Sequence, residues 1–225
     1  MNEFIKVENL RKVYPTPAGE LEVFSNLNFS VKKGELLCIM GVSGVGKTTL
    51  LNLLGTIDRP TSGKIFCDKI EITSLSFEEL IRMRREYFGF VFQFHFLLQE
   101  FTALENVAIP LLIRGVKKKE AFEISFEILK KVGIEKRADH KPSMLSGGEC
   151  QRIAVARAIV HKPKILLADE PTGNLDPKTA SEVFSLIKDL HKSENLTTVI
   201  VTHNEKIAKE CERRMIMGNG ELREV

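Results

Sequence analysis

Cysteine is scarce and scattered: the 225 residues carry four, Cys38, Cys67, Cys150 and Cys211, with no C-x-x-C pair. That spacing argues against a zinc site and against a disulfide framework. Cys38 and Cys67 read instead as small buried residues. No apolar run approaches the ~20 residues that a membrane-spanning helix needs. The stretch from Met1 to Lys6 lacks a signal-peptide core, so the expectation is a chain that stays in the cytoplasm and meets any membrane through a partner. Charge of one sign is lacking too. Lys and Arg number 33 against 30 Asp and Glu, and an excess of three argues against a nucleic-acid partner. The one basic cluster, Arg82, Arg84 and Arg85, reads as a solvated helix face. Internal repeats, low-complexity tracts and coiled-coil insertions are absent. The histidines are scattered, so His140, His161 and His191 are assigned structural places. What remains is an ordinary globular composition, long enough to bury a substantial core in one compact unit.

Against that plain background two motifs carry chemistry. Gly41-Val-Ser43-Gly44-Val-Gly46-Lys47-Thr48 fits G-x-x-x-x-G-K-[ST] in full. Glycines let the backbone wrap around phosphate oxygens with successive N–H groups turned inward. Lys47 would reach the β- and γ-phosphates and the Thr48 hydroxyl would ligate Mg²⁺. The apolar run Leu36–Met40 before it reads as a buried strand, and Thr49–Leu54 after it opens a helix whose N-terminus adds its dipole to the anion site. Further on, Ile165-Leu-Leu-Ala168 is a second buried strand that ends in Asp169-Glu170. Ligands bind at such C-terminal strand ends. Asp169 would join the Mg²⁺ shell, and Glu170 would polarise an attacking water.

Between them stands Leu145-Ser146-Gly147-Gly148-Glu149, at the head of the helix-forming run that continues to Ile159. Backbone N–H groups at a helix start, with a serine hydroxyl, make a second anion site. A single chain already has one site for its own nucleotide. A phosphate loop, an LSGGE turn and a strand ending in Asp-Glu, in that order, resemble the ATP-binding subunits of ABC transporters. The resemblance covers essentially the whole chain, and three further pieces match it. Gln93, after Phe88–Phe92, looks like the glutamine that touches Mg²⁺ and water. Asn174-Leu175-Asp176 looks like the loop that crosses between subunits. His203, after Thr197–Thr202, resembles the histidine that contacts the γ-phosphate. Tyr14 matches the aromatic that stacks on adenine. The resemblance implies that Ser146, Gly147 and Gly148 cap the ATP of a partner copy in a head-to-tail homodimer. It assigns Glu170, His203 and Gln93 to catalysis. Tyr14, Gly41, Ser43, Gly44, Gly46, Lys47, Thr48 and Thr49 would hold the nucleotide, and Thr48, Gln93 and Asp169 the metal.

A coarse pass along the chain predicts an α/β P-loop core with an N-terminal antiparallel β layer and an inserted helical subdomain. The core and β layer take about 1–93 and 161–225, and the helices about 94–160. β segments alternate over residues 3–37 and again over 61–73. Lys117–Val132 has helical spacing and stops at Gly133. Asp176-Pro177 starts another helix, and Met215–Leu222 reads as a closing hairpin.

The phenylalanines at 88, 90, 92, 94 and 96 fall at every second position. The first three read as one face of a buried strand, and Phe94 and Phe96 as residues beyond it, open to solvent. Gln93-Phe-His-Phe, Phe101-Thr-Ala-Leu-Glu-Asn-Val-Ala and Ala138-Asp-His-Lys-Pro-Ser143 resemble the lipoprotein-releasing branch. That implies integral membrane subunits as partners and a peripheral place on the cytoplasmic face of the inner membrane. Thr172-Gly-Asn-Leu-Asp176 is shared with macrolide-efflux and cell-division ATPases, which stay open as alternatives, the latter as ATP-switched scaffolds. A kinase would leave LSGGE without a role, and a DNA-repair or chromosome ATPase head would need a coiled coil that is absent. Three positions depart from the family's usual residues: Cys150, expected to alter helix-surface contacts, Gln99 in place of proline, and Asn204 in place of aspartate.

Overall fold

Two long strands pair from the start of the chain and set the first layer. The computed structural model describes residues 3–225; Met1 and Asn2, part of the stretch weighed above for a signal peptide, lie outside the described residues. In chain order the elements are β1 (Glu3–Thr16), β2 (Gly19–Lys32), β3 (Leu36–Met40), α1 (Lys47–Leu54), β4 (Ser62–Cys67), β5 (Ile70–Glu71), α2 (Phe77–Tyr87), β6 (Phe88–Phe92), α3 (Ala103–Ile113), α4 (Lys118–Lys131), α5 (Gly147–Ile159), β7 (Ile165–Asp169), α6 (Pro177–Ser193), β8 (Thr197–Thr202), α7 (Glu205–Lys209), β9 (Arg213–Gly218) and β10 (Glu221–Glu224). The chain divides into two units: residues 1–84 with 196–225, and residues 85–195.

In the first unit an antiparallel sheet runs β2-β1-β4-β5. Its inner face buries Ile5, Val7, Leu10, Phe24, Leu27 and Ile65, the alternate-residue pattern of a sheet with one solvated side. The unit's other strands centre on β3, which lies parallel to both β8 and β9; β10 folds back antiparallel on β9. Flanked on both edges, β3 buries Leu36 to Ile39 without alternation, and β8 buries all six of its residues. Asn204 caps α7, its side chain accepting from the amides of Lys206 and Ile207. An aspartate there would accept the same bonds, so this departure leaves the local geometry intact.

The second unit holds β6 parallel to β7 and four helices. No strand forms between residues 93 and 164. At the centre lies α5, whose Ile153 to Ala156 are fully buried. Small residues let its neighbours approach closely: a Cβ on Gly148 would sit 2.4 Å from Thr179 of α6. Asp176 caps α6 through the amides of Lys178 and Thr179, with Pro177 in the first turn.

Two expectations are corrected. Arg84 is half-buried and donates to the Thr56 carbonyl, so the basic cluster is not one solvated face. Thr56 lies just past the C-terminus of α1, where carbonyls lack helical partners and attract cations. Cys150, the departure after LSGGE, is buried with its sulfur toward the Pro142 carbonyl. Phe88 is buried but Phe90 and Phe92 are half-exposed, stacked with ring centroids 5.9 Å apart.

Candidate functional site

In the first unit the phosphate loop hangs between β3 and α1. Helix α1 begins with Gly46 at its N-cap, in the left-handed region at φ 108°, without a side-chain cap and without an acidic residue in its first turn. Within the helix its leading amides have no carbonyl to bond, and its first turn carries no carboxylate to compete, which suits an anion. A Cβ at Gly46 would also lie 2.6 Å from the Val23 side chain, so only glycine fits. The Lys47 ammonium is buried and donates to the carbonyls of Gly41 and Val42 at 2.7 and 3.0 Å. Strand register brings a second candidate to the same edge. Met40 of β3 faces Thr202 of β8, so Gly41 and the exposed His203 leave neighbouring strand ends together. Tyr14 of β1 is half-exposed; its hydroxyl donates to Asp58 at 2.6 Å and Lys12 lies over its ring.

The second unit repeats that device. Phe92 of β6 pairs with Asp169 of β7, so Gln93 and Glu170 emerge side by side. Gln93 donates to the Asn174 side chain at 2.9 Å, joining two motifs some eighty residues apart. Glu170 has φ 44°, a left-handed conformation that costs a side-chain-bearing residue about 1–3 kcal/mol and concentrates at functional sites. The Gly173 amide closes the turn on its carbonyl at 3.0 Å.

The LSGGE turn is a capping box. Ser146 Oγ accepts from the Glu149 amide, and the Glu149 carboxylate accepts from the Ser146 amide at 2.8 Å. That arrangement leaves the Gly147 and Gly148 amides as the helix's unmatched donors and leaves the Ser146 hydroxyl proton able to donate outward. Ser146 and Gly147 are exposed. The Ser146 amide first, and then Arg137 at 2.8 Å, hold the Glu149 carboxyl below its ordinary range.

The family model described as ABC transporter matches residues 24–173. The chain belongs to the ABC transporter family. It is similar, at 47% identity over 99% of its length and 86% of the relative's, to the lipoprotein-releasing system ATP-binding protein LolD of Colwellia psychrerythraea (strain 34H / ATCC BAA-681). The LolD of Legionella pneumophila (strain Paris) is 46% identical over 99% of this chain and 98% of its own. A dimeric structure of MJ0796, a bacterial ABC transporter cassette, superposes with a TM-score of 0.91 at 41% identity, covering 98% of this chain and 97% of the other. The fold is thus the P-loop ABC ATPase cassette, and the chain is an ATPase subunit of the family.

Beyond the family's motifs, three polar side chains shape this cassette's site and carry no signal in the sequence. Gln151 on α5 is buried; its amide donates to the carbonyls of Phe92 and Pro171, and its oxygen meets the His95 ring. It thereby ties the residue before Gln93 to the residue after Glu170. Arg157, further along the same helix, donates to the carbonyls of His95 and Phe96 at 2.6 and 2.7 Å. Those two residues are both left-handed, at φ 52° and 48°, and burial pulls the pKa of Arg157 down. Asn106, fully buried, bonds Leu98 at both its amide and its carbonyl. The Phe101–Ala108 stretch that resembles one branch is thus also a local device: Thr102 and Glu105 form a capping box on α3. Beyond Gln93, the loop these residues hold turns Phe94 and Phe96 outward, 67% and 62% exposed.

Mg²⁺ takes oxygen ligands, usually one or two carboxylates beside substrate phosphates and waters. Taken unit by unit the donors suit that chemistry: in the first unit the Thr48 hydroxyl is exposed, and in the second Asp169 and Gln93 are half-exposed oxygen donors at neighbouring strand ends.

Proposed function

We propose that the chain is the ATP-hydrolysing subunit of a lipoprotein-releasing transporter, acting as a pair of copies beneath integral membrane partners. The observation that carries the reading is the similarity to LolD proteins along 99% of this chain. Tyr14 stacks on adenine. The phosphate-loop backbone of Gly41, Ser43, Gly44 and Gly46, with Thr49, cradles the phosphates, and Lys47 exchanges its loop carbonyls for β- and γ-oxygens. Thr48, Asp169 and Gln93 would hold Mg²⁺, which would neutralise charge on the phosphates. Glu170 accepts a proton from the attacking water and aims it at phosphorus. His203 donates to the γ-phosphate. Ser146, Gly147 and Gly148 donate to the ATP of the other copy, so each nucleotide is closed only in the homodimer. Residues from about 94 to 160 act as the helical subdomain, with the core and β layer in about 1–93 and 161–225.

The loop after Gln93 supports the partner reading. Phe94, Phe96, Leu98 and Phe101 are all exposed there, and aromatic side chains anchor interfaces well. No helix among the described residues is long and apolar enough to cross a membrane, which accords with a peripheral subunit at the cytoplasmic face of the inner membrane. Depleting the protein in its host is expected to strand outer-membrane lipoproteins at the inner membrane, and purification is expected to bring integral membrane subunits with it. Normal lipoprotein sorting alongside failed drug export or septum formation would move the protein to a sibling branch.

A further inference from the structure

We infer that Lys12 and Asp58 are positioning residues for the nucleobase, fixing the Tyr14 ring so that a single face is offered for stacking. The inference rests on the proposed reading of Tyr14 as the adenine platform. Lys12 and Tyr14 stand two apart on β1, so their side chains share a face. Lys12 is only 8% exposed. A buried ammonium is costly unless fully paired, and this one is: it lies 2.8 Å from Asp58 Oδ2, 2.7 Å from the Arg59 carbonyl and 4.4 Å from the Tyr14 ring centroid. The same Asp58 oxygen accepts from the Tyr14 hydroxyl at 2.6 Å, and the Arg59 amide donates to the other oxygen at 2.7 Å. Lysine, aspartate and tyrosine close a triangle, with the cation on one face of the ring and the hydroxyl tied at its edge. Burial pulls the Asp58 carboxyl up, but its bonds to Lys12, Tyr14 and the Arg59 amide outweigh that and hold it below its ordinary range.

The triangle is built into the phosphate site. Helix α1 runs from Lys47 to Leu54, a few residues before the loop that carries Asp58. Thr61 closes the far end of the loop: its hydroxyl accepts from the Val13 amide at 2.9 Å, and its amide donates to the Arg11 carbonyl at 2.9 Å. One segment thus holds both the phosphate loop and the ring. A tyrosine with its hydroxyl and one face engaged has little rotamer freedom left to lose when a base stacks on it, and such preorganisation raises affinity. A triangle that merely stapled the loop to β1 would stabilise the chain and have no preference for a ligand that carries a base.

The test compares two ligands on the full chain: ATP, and inorganic tripolyphosphate, which has the phosphates without a base. With no tryptophan and two tyrosines in the chain, quenching of tyrosine emission reads stacking directly. Lys12→Met and Asp58→Asn are expected to weaken ATP about three- to tenfold, to diminish the quenching, and to leave tripolyphosphate affinity within about twofold. Tyr14→Phe keeps the ring and loses the anchor, so it should weaken ATP selectively as well; it decides the matter if Lys12→Met does not fold. Unchanged ATP affinity in these variants, or equal loss for both ligands, overturns the inference. Tyr14→Ala is the control on the underlying reading and should erase the advantage of ATP over tripolyphosphate. If that advantage survives Tyr14→Ala, the stacking role and the inference fall together; if it is erased while the other variants behave as wild type, the inference alone falls.

Discussion

Glu170 is the residue where conformation and chemistry meet most sharply. Its left-handed backbone, φ 44°, turns the chain immediately after Asp169. The strain belongs to the backbone, so an isosteric amide leaves it in place. Glu170→Gln is therefore expected to fold and bind ATP as wild type while losing ~10²–10⁴-fold in turnover, the usual cost of removing a general base. Single-turnover hydrolysis alongside equilibrium ATP binding checks both halves, and near-normal turnover would remove Glu170 from its role. Glu149 makes a different forecast. Its folded carboxyl lies below the ordinary value, chiefly through the Ser146 amide and then Arg137. A depressed pKa contributes stability that is full above the unfolded value and is lost as the pH falls through the folded one. The group is largely solvated, so the contribution is small. Thermal unfolding from neutral pH down to about pH 3 should show a shallower acid decline in Glu149→Gln than in wild type.

At the scale of elements, α5 does more than its motif announces. Its N-terminus carries the LSGGE box, Gln151 links the loops on either side of the candidate catalytic carboxylate, and Arg157 holds two left-handed residues in the loop after Gln93. Arg157→Met leaves two carbonyls without their donor, a loss of about 1–3 kcal/mol confined to one loop. Hydrogen exchange is expected to speed up across residues 94–97 while the amides of α5 and β7 keep their protection; uniform acceleration would mean that the arginine supports the whole unit instead. Much of this architecture is legible in the sequence. The phosphate loop, the Asp176-Pro177 helix start and the Lys117–Val132 helix are local signals, and each found its element within a residue or two. Gln151, Arg157 and Asn106 carry no local signal, because the first two bond carbonyls as far as about sixty residues away and the third bonds a loop that has no periodicity. The burial of Cys150 and the pull of Arg84 toward Thr56 were hidden for the same reason: a helix face takes its partners from the fold.

At the scale of the whole molecule the question is what closes each nucleotide and what feels the closure. Ser146 and Gly147 are exposed, and on the proposed reading their donors meet the ATP held by a second copy. Ser146→Arg is expected to leave ATP binding to one chain intact and to abolish ATP-dependent dimerisation in light scattering. Wild-type hydrolysis should show a Hill coefficient of up to about two, the number of shared sites. On the proposed reading the output is the aromatic loop beyond Gln93. Phe94 stands mostly in solvent, so its loss should not unfold the chain, whereas Phe96 also packs edge-on against Phe92 at 5.3 Å. Phe94→Ala is therefore the cleaner probe. If that loop transmits ATP closure to a membrane subunit, Phe94→Ala keeps basal hydrolysis by the free chain and loses the rate change that the reconstituted membrane partner imposes, with affinity falling by about 2 kcal/mol if the side chain is an interface anchor. Full stimulation by the partner in Phe94→Ala would mean that the contact lies elsewhere on the chain, while equal loss of basal and stimulated rates would mean that the loop acts on Glu170 and not on a partner.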